Sequence, residues 1–200
     1  NENFQGPAVV AAAAMLNALD LADKAIGEAR VVICGAGTVG LGCAEMFLLM
    51  GVAPGNLFVY DVRGLLHPER NDLNPHQRRL AHAGAPAALD EGLRGADVFV
   101  GASAPGVITQ GMIRSMARFP IVFALATPEP EIGYDEARAS RRDVIVATAL
   151  TQFPNAIADH LSYPYIFRGA LDAHAQRITD GMLVAAARAL AGLAREDVVD

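Results

Sequence analysis

Two hundred residues, 52% of them apolar, with a formal net charge of −6, suit one acidic domain with a sizeable core. That balance excludes a nucleic-acid footprint, which needs a basic stripe, and no apolar run suggests a membrane span, since Ala8–Ala14 is too short and too rich in alanine. Two cysteines and five histidines without ligand spacing exclude a disulfide framework and a zinc site, and point to a reducing, cytoplasmic setting.

The chain opens at Asn1-Glu2-Asn3 rather than at methionine and enters an apolar helix at once, so a segment of a longer protein is expected. Ala8, Ala11, Ala12, Met15, Leu16 and Leu19 give residues 6–22 one helical face. Strands are expected at 31–34, 57–60, 97–101, 121–125 and 144–148. Each is short, apolar and not strictly alternating, as parallel strands buried on both faces should be. Helices are expected between them at 39–50, 75–83, 86–93, 109–117 and 134–139. This alternation predicts an α/β fold, a Rossmann-like doubly wound, mostly parallel sheet with helices on both faces. The strand order 3-2-1-4-5 would place a ligand at the carboxyl ends of the strands. Residues 62–75, rich in Pro, Gly and Asn, read as a long loop, a kind that is often functional. A last helix at 174–195 carries Ile178, Met182, Leu183, Ala186, Leu190 and Leu193 at helical spacing, a stripe for the core or a subunit interface. The expected organisation is one domain: a leading helix over 1–23, a core over 24–172 and a C-terminal helix over 173–200. Cys34, in the first strand, and Cys43, in the helix after it, read as small buried hydrophobes.

The most informative stretch is Gly35-Ala36-Gly37-Thr38-Val39-Gly40. It follows the apolar run Val31-Val32-Ile33-Cys34, opens a helical pattern, and precedes a second apolar run that ends in Asp61, about twenty residues beyond the last glycine. Strand, glycine turn, helix and terminal acid form the dinucleotide-binding fingerprint. The first glycine permits the tight turn, the second lets backbone approach a pyrophosphate, and the third lets helix and strand pack closely. The helix N-terminus adds free N–H groups and the positive end of the dipole. The competing reading is a glycine-rich strand–helix turn that binds nothing.

With these pieces in place, the whole chain resembles the C-terminal, NAD(P)-binding domain of malic enzymes of the bacterial type. Asn56-Leu57-Phe58-Val59-Tyr60-Asp61 is similar to that family's second strand, with Gly64 and Leu73-Asn74 similar to the loop after it. Gly95-Ala96-Asp97-Val98-Phe99-Val100-Gly101, continuing through Ser103, Pro105 and Gly106 to Thr109, resembles its GADVFIG-S-PGVLT segment. Ala124-Leu125-Ala126-Thr127-Pro128-Glu129-Pro130-Glu131-Ile132 resembles its ALANPxPEI, and Phe153-Pro154-Asn155 with Phe167-Arg168-Gly169-Ala170-Leu171-Asp172 its YPNQVNN and FRGALD. The resemblance implies NAD(P)-dependent oxidation of malate and its decarboxylation to pyruvate with a divalent magnesium or manganese ion. It also implies a dimer or tetramer, and an N-terminal domain that supplies a lysine base, a tyrosine acid and further metal carboxylates. Lys24 is the only lysine here and is no replacement for that base.

The sequence departs from the family pattern at the substrate side. Asn3 stands where the family's metal-binding aspartate is expected, with Glu2 beside it, and an amide is a poor ligand for a hard divalent cation. Thr127 replaces the asparagine of ALANP, and Ala158-Asp159 replaces the paired asparagines, one of which contacts the substrate carboxylate. An aspartate facing a dicarboxylate sets like charges together. Asp159 with His160 also reads as an ordinary surface pair. The expected cofactor contacts are Gly35, Ala36, Gly37, Thr38 and Val39 at the phosphates, Asp61 and Arg63 at the adenosine ribose, Ala102 and Ser103 at the ribose–nicotinamide, and Thr127 and Asn155 nearer the nicotinamide. Ser103 reads equally as a turn residue at a strand end, and Asn155 as a helix N-cap. Asp61 favours NAD, whereas Arg63 leaves NADP open. Two further readings stand beside the malic-enzyme one: a diverged nucleotide-binding module without malate activity, and an oxidoreductase for a different hydroxy or keto acid.

Overall fold

The computed structural model describes residues 2–196, with the side chains of residues 2–5 and of Asp159 outside that description. The chain begins with the long helix α1 (Glu2–Leu21), which starts four residues earlier than the apolar pattern suggests and carries Pro7 in its second turn. Strand β1 (Val31–Cys34) runs into helix α2 (Thr38–Met50), which ends at Gly51 in the left-handed region with φ 117°. Strand β2 (Leu57–Asp61), the two-residue β3 (Gly64–Leu65) and the short helices α3 (Pro75–Arg79) and α4 (Leu89–Gly92) follow. Then come β4 (Val98–Gly101), α5 (Gln110–Ser115), β5 (Ile121–Ala124), α6 (Tyr134–Ser140), β6 (Ile145–Thr148), α7 (Tyr163–Asp172) and α8 (Asp180–Glu196).

One six-stranded sheet has the order β3-β2-β1-β4-β5-β6, parallel throughout except for the antiparallel β2–β3 pair. All five expected strands are present, but their order differs from the expected one. The strand at 98–101 pairs with β1 rather than lying outside β2. The position outside β2 is taken by β3, within the segment 62–75 expected as a loop. The cause is local: Gly64, at φ 102°, reverses the chain directly after Asp61 and folds it back onto the outer edge of β2. The free side of β1 is then open to β4.

Successive strand residues serve opposite faces, which is why the strands read as continuous apolar runs. Val31, Ile33, Val59, Val98, Val100, Ile121 and Phe123 pack with α1, α2 and α8 into one core cluster. Val32, Cys34, Phe58, Tyr60, Phe99, Val122 and Ala124 pack on the other face with Leu93, Ile113, Met116 and Ala137. Both cysteines are free and buried, as the sequence suggests. Burial pushes the Cys43 thiol up to about 12. Helix α1 lies against α2 and α8, where Asn17 donates to the Ala191 carbonyl at 3.0 Å and accepts from Arg195 at 2.8 Å.

Helices α3, α4 and α5 are shorter than their sequence patterns, and the last helix begins at Asp180 rather than near 174. Helix α7 lies where no element was expected, because Pro164 at its start and Gly169 inside it mask the spacing of Tyr163, Ile166, Phe167 and Ala170. None of the described helices is long and apolar enough to cross a membrane.

Candidate functional site

The carboxyl ends of β1, β2 and β4 open into a cleft of about 570 Å³ lined by Cys34, Gly35, Gly37, Asp61, Gln77 and Ser103, among others. Each glycine of the turn has a separate steric reason. Gly35 has φ 116°, and a Cβ on it would collide with the Ala102 carbonyl. A Cβ on Gly40 would collide with the Gly35 carbonyl, so helix α2 can sit this close to the turn only without a side chain there. Gly37 is different: a Cβ would meet nothing within 4 Å. The space in front of Gly37 is therefore open, at the N-terminus of α2, where the first-turn N–H groups have no partner within the helix. No acidic residue occupies that first turn. The turn is braced from outside by Gln77, whose side chain donates to the Ala36 carbonyl at 3.2 Å. Gln77 is itself held in a reciprocal capping box with Asn74 at the start of α3.

Asp61 ends β2 beside this turn, and Gly35 donates to the Tyr60 carbonyl at 2.8 Å. Its carboxylate is gripped by both terminal nitrogens of Arg70, at 2.9 and 2.7 Å, and by the Arg63 amide at 2.8 Å. Partial burial acts to raise the Asp61 carboxyl, but the Arg70 hydrogen bonds and the Arg63 amide outweigh it and hold the group below its usual value. Arg70 also binds Asp72 at 2.7 Å and, with Arg63, holds that carboxyl down at about 2. The Arg63 side chain pairs with Asp72, and Arg70, which the sequence did not single out, grips Asp61; a basic residue in the loop after a strand-end acid was the available signal. Asp61 and Asp72 with Arg63 and Arg70 leave this rim formally neutral.

Ala102 and Ser103 follow β4, with the Ala102 amide donating to the Cys34 carbonyl at 2.8 Å. The Ser103 hydroxyl lies 3.5 Å from the Cys34 sulfur. Burial is the main cause that pushes the Cys34 thiol up. Thr127 lines a second, smaller cleft at the ends of β5 and β6, with Pro7, Val39, Leu125, Thr151, Ala158 and His160. Val39 belongs to this second cleft, so the helix start faces both. Asn155 lines neither cleft: it has φ 59°, starts no helix, and donates its side-chain amide to the Val146 carbonyl at 3.1 Å. The side chains of Glu2, Asn3 and Asp159 lie outside the described residues. Among the described residues no group of three or more His, Cys, Asp or Glu is placed to hold a metal ion.

A turn of this geometry suits a pyrophosphate, and the sequence comparison names the family. The profile described as the malic enzyme NAD binding domain matches residues 4–200. The chain belongs to the malic enzyme family, as its NAD-binding domain. A malic enzyme from Entamoeba histolytica superposes with a TM-score of 0.93 at 36% identity, over all of this chain and 43% of that one. The chain is 45% identical over 198 residues to an NADP-dependent malic enzyme of Halomonas elongata, covering 99% of this chain and 47% of that protein. It is 41% identical to an NAD-dependent malic enzyme of Rhizobium meliloti, covering all of this chain and 26% of that protein. The chain thus spans between about a quarter and a half of the length of these relatives. Both coenzymes appear among their names.

Proposed function

We propose that this domain holds the dinucleotide for a malic-enzyme-type oxidoreductase whose proton-transfer groups and metal carboxylates lie in the remainder of a longer protein. The observation that carries this reading is the open space before Gly37, framed by the Gly35–Gly40 turn and by Asp61 in one cleft. In it the first-turn amides of α2, from Thr38 onward, receive the pyrophosphate, Asp61 accepts from the adenosine ribose, and Ser103 and Thr127 flank the nicotinamide half. When bound, the cofactor supplies the hydride acceptor for oxidation of a hydroxy acid. The chain's own part is to fix that acceptor, to exclude water with the apolar wall of Val39, Leu125, Ile157 and Ala158, and to leave the reacting carbon facing the second cleft. Asn155, committed to the Val146 carbonyl, supports this arrangement from behind rather than by contact. Homo-oligomeric assembly and a cytoplasmic setting belong to the same proposal, the latter supported by the two free, buried thiols.

One observation favours a second reading, a remodelled acid pocket. Among the described residues lining the second cleft, none is lysine or arginine and His160 is the one basic member, so they offer little to a dicarboxylate. Titration with NADH and then NADPH, followed by nicotinamide fluorescence with and without Mn²⁺ and malate, tests both readings. Saturable binding supports the cofactor site, and absence of binding by either nucleotide overturns it. In the longer protein, tightening by malate with Mn²⁺ favours the malate reading, whereas indifference to both favours the remodelled pocket.

A further inference from the structure

Glu131 is fully buried, and no basic side chain among the described residues pairs with it. Its two oxygens are used instead by backbone: the Ser103 amide donates to one at 2.7 Å and the Ala126 amide to the other at 3.1 Å. These amides occupy matching positions. Strands β4 and β5 pair in register up to Gly101 opposite Ala124, and Leu125 still donates to the Gly101 carbonyl at 3.0 Å. Ser103 and Ala126 each lie two residues beyond that last pair, where the strands diverge and the ladder can no longer satisfy their N–H groups. The Glu131 carboxylate fills the gap as a substitute rung. Gly101 makes room for it: a Cβ there would collide with the carboxylate carbon and lie 2.6 Å from Cγ.

The consequence is positional. Ser103 lines the cleft of the glycine turn and Asp61, whereas Thr127, directly after Ala126, lines the second cleft. One buried carboxylate therefore fixes the wall of both. We infer that Glu131 is a positioning residue that sets the separation of the β4 and β5 loops, and with it the seat of the ribose–nicotinamide half of the cofactor. This rests on the cofactor reading above. The adenosine half, held by the glycine turn and Asp61, lies outside its reach.

That division gives the test. In the 200-residue chain, E131Q keeps the volume but turns an N–H₂ group toward one of the two amides, so one tie is lost. NADH affinity should fall by about tenfold or more, while ADP, which occupies only the adenosine half, should bind within about twofold of the unsubstituted chain. Unchanged NADH binding in E131Q overturns the inference, and so does an equal loss of NADH and ADP, which would mean general damage. The double variant G101A/E131A separates position from packing. Its new methyl refills part of the vacated space, so its melting temperature should exceed that of E131A, yet its NADH affinity should stay low. Recovery of NADH affinity in that variant would reduce Glu131 to a space-filler and overturn its positioning role. If the unsubstituted chain binds neither NADH nor ADP, the cofactor reading itself fails, and this inference with it.

Discussion

The two clefts are built from different materials. The one at the ends of β1 and β2 is shaped by backbone and charge: Gly35 and Gly40, where a side chain would strike backbone, and a rim in which Arg70 bonds to both Asp61 and Asp72. The one at the ends of β5 and β6 is shaped by apolar side chains, with Thr127, Thr151 and His160 as its polar members. A phosphate group makes the same demands in every dinucleotide, so the first cleft has little freedom to vary. In the proposed reading the second faces the substrate, where a change of residue changes what is accepted rather than whether the fold survives.

The most severe way to break the contrast is at the glycines. Gly40→Ala should drive a methyl into the Gly35 carbonyl and cost about 3 kcal/mol or more, read as a lowered melting temperature together with lost NADH binding. Gly37→Ala should do the reverse: its methyl meets no protein atom, so melting should shift by less than about 0.5 kcal/mol while NADH binding is lost. Equal effects at the two positions would refute the assignment of Gly37 to the ligand.

At the charged rim, Arg70→Gln would strip Asp61, whose side chain is only 17% exposed, of its bidentate partner, at a cost of about 2 kcal/mol at neutral pH. Because the Asp61 carboxyl is held below its usual value in the folded chain, its contribution is full above the unfolded carboxylate value and is lost as pH falls. The melting-temperature gap between the variant and the unsubstituted chain should therefore be widest near neutrality. It should close as the pH drops from about 4 toward about 2, where Asp72 also protonates. A gap that persists in acid would mean that Arg70 acts by packing alone. Smallest of all should be Arg63→Ala. Its ion pair with Asp72 is exposed, so stability should move by less than about 0.5 kcal/mol. NADPH affinity should fall several-fold with NADH affinity unchanged, as paired titrations would show.

The contrast also explains what the sequence made legible. Gly35, Gly37, Gly40 and Asp61 stand out because local sterics and a strand end dictate residue type, and their spacing is short enough to read along the chain. The strands were visible for a related reason, since burial on both faces leaves no polar residue to interrupt them. Arg70 and Glu131 were harder to single out: Arg63 stands nearer to Asp61 along the chain, and Glu131 ties the nearby Ala126 amide to the Ser103 amide 28 residues away, a link that no periodicity marks. The order of the strands turned on a reversal at Gly64 that yields only two paired residues, too few to register as a strand. Asn155 misled in the opposite direction: it sits in a recognisable motif, yet its side chain serves the sheet.

That last bond belongs to a wider arrangement at the sheet's margins. On the outer side of β6, the carbonyls of Val144, Val146 and Thr148 are taken by Arg138, Asn155 and the Ile157 amide. At the opposite margin the β3 amide of Leu65 is taken by the Ala87 carbonyl. These caps leave each border strand only partly open, which works against strand addition at both margins. Contacts with other chains are expected through the helices and loops instead.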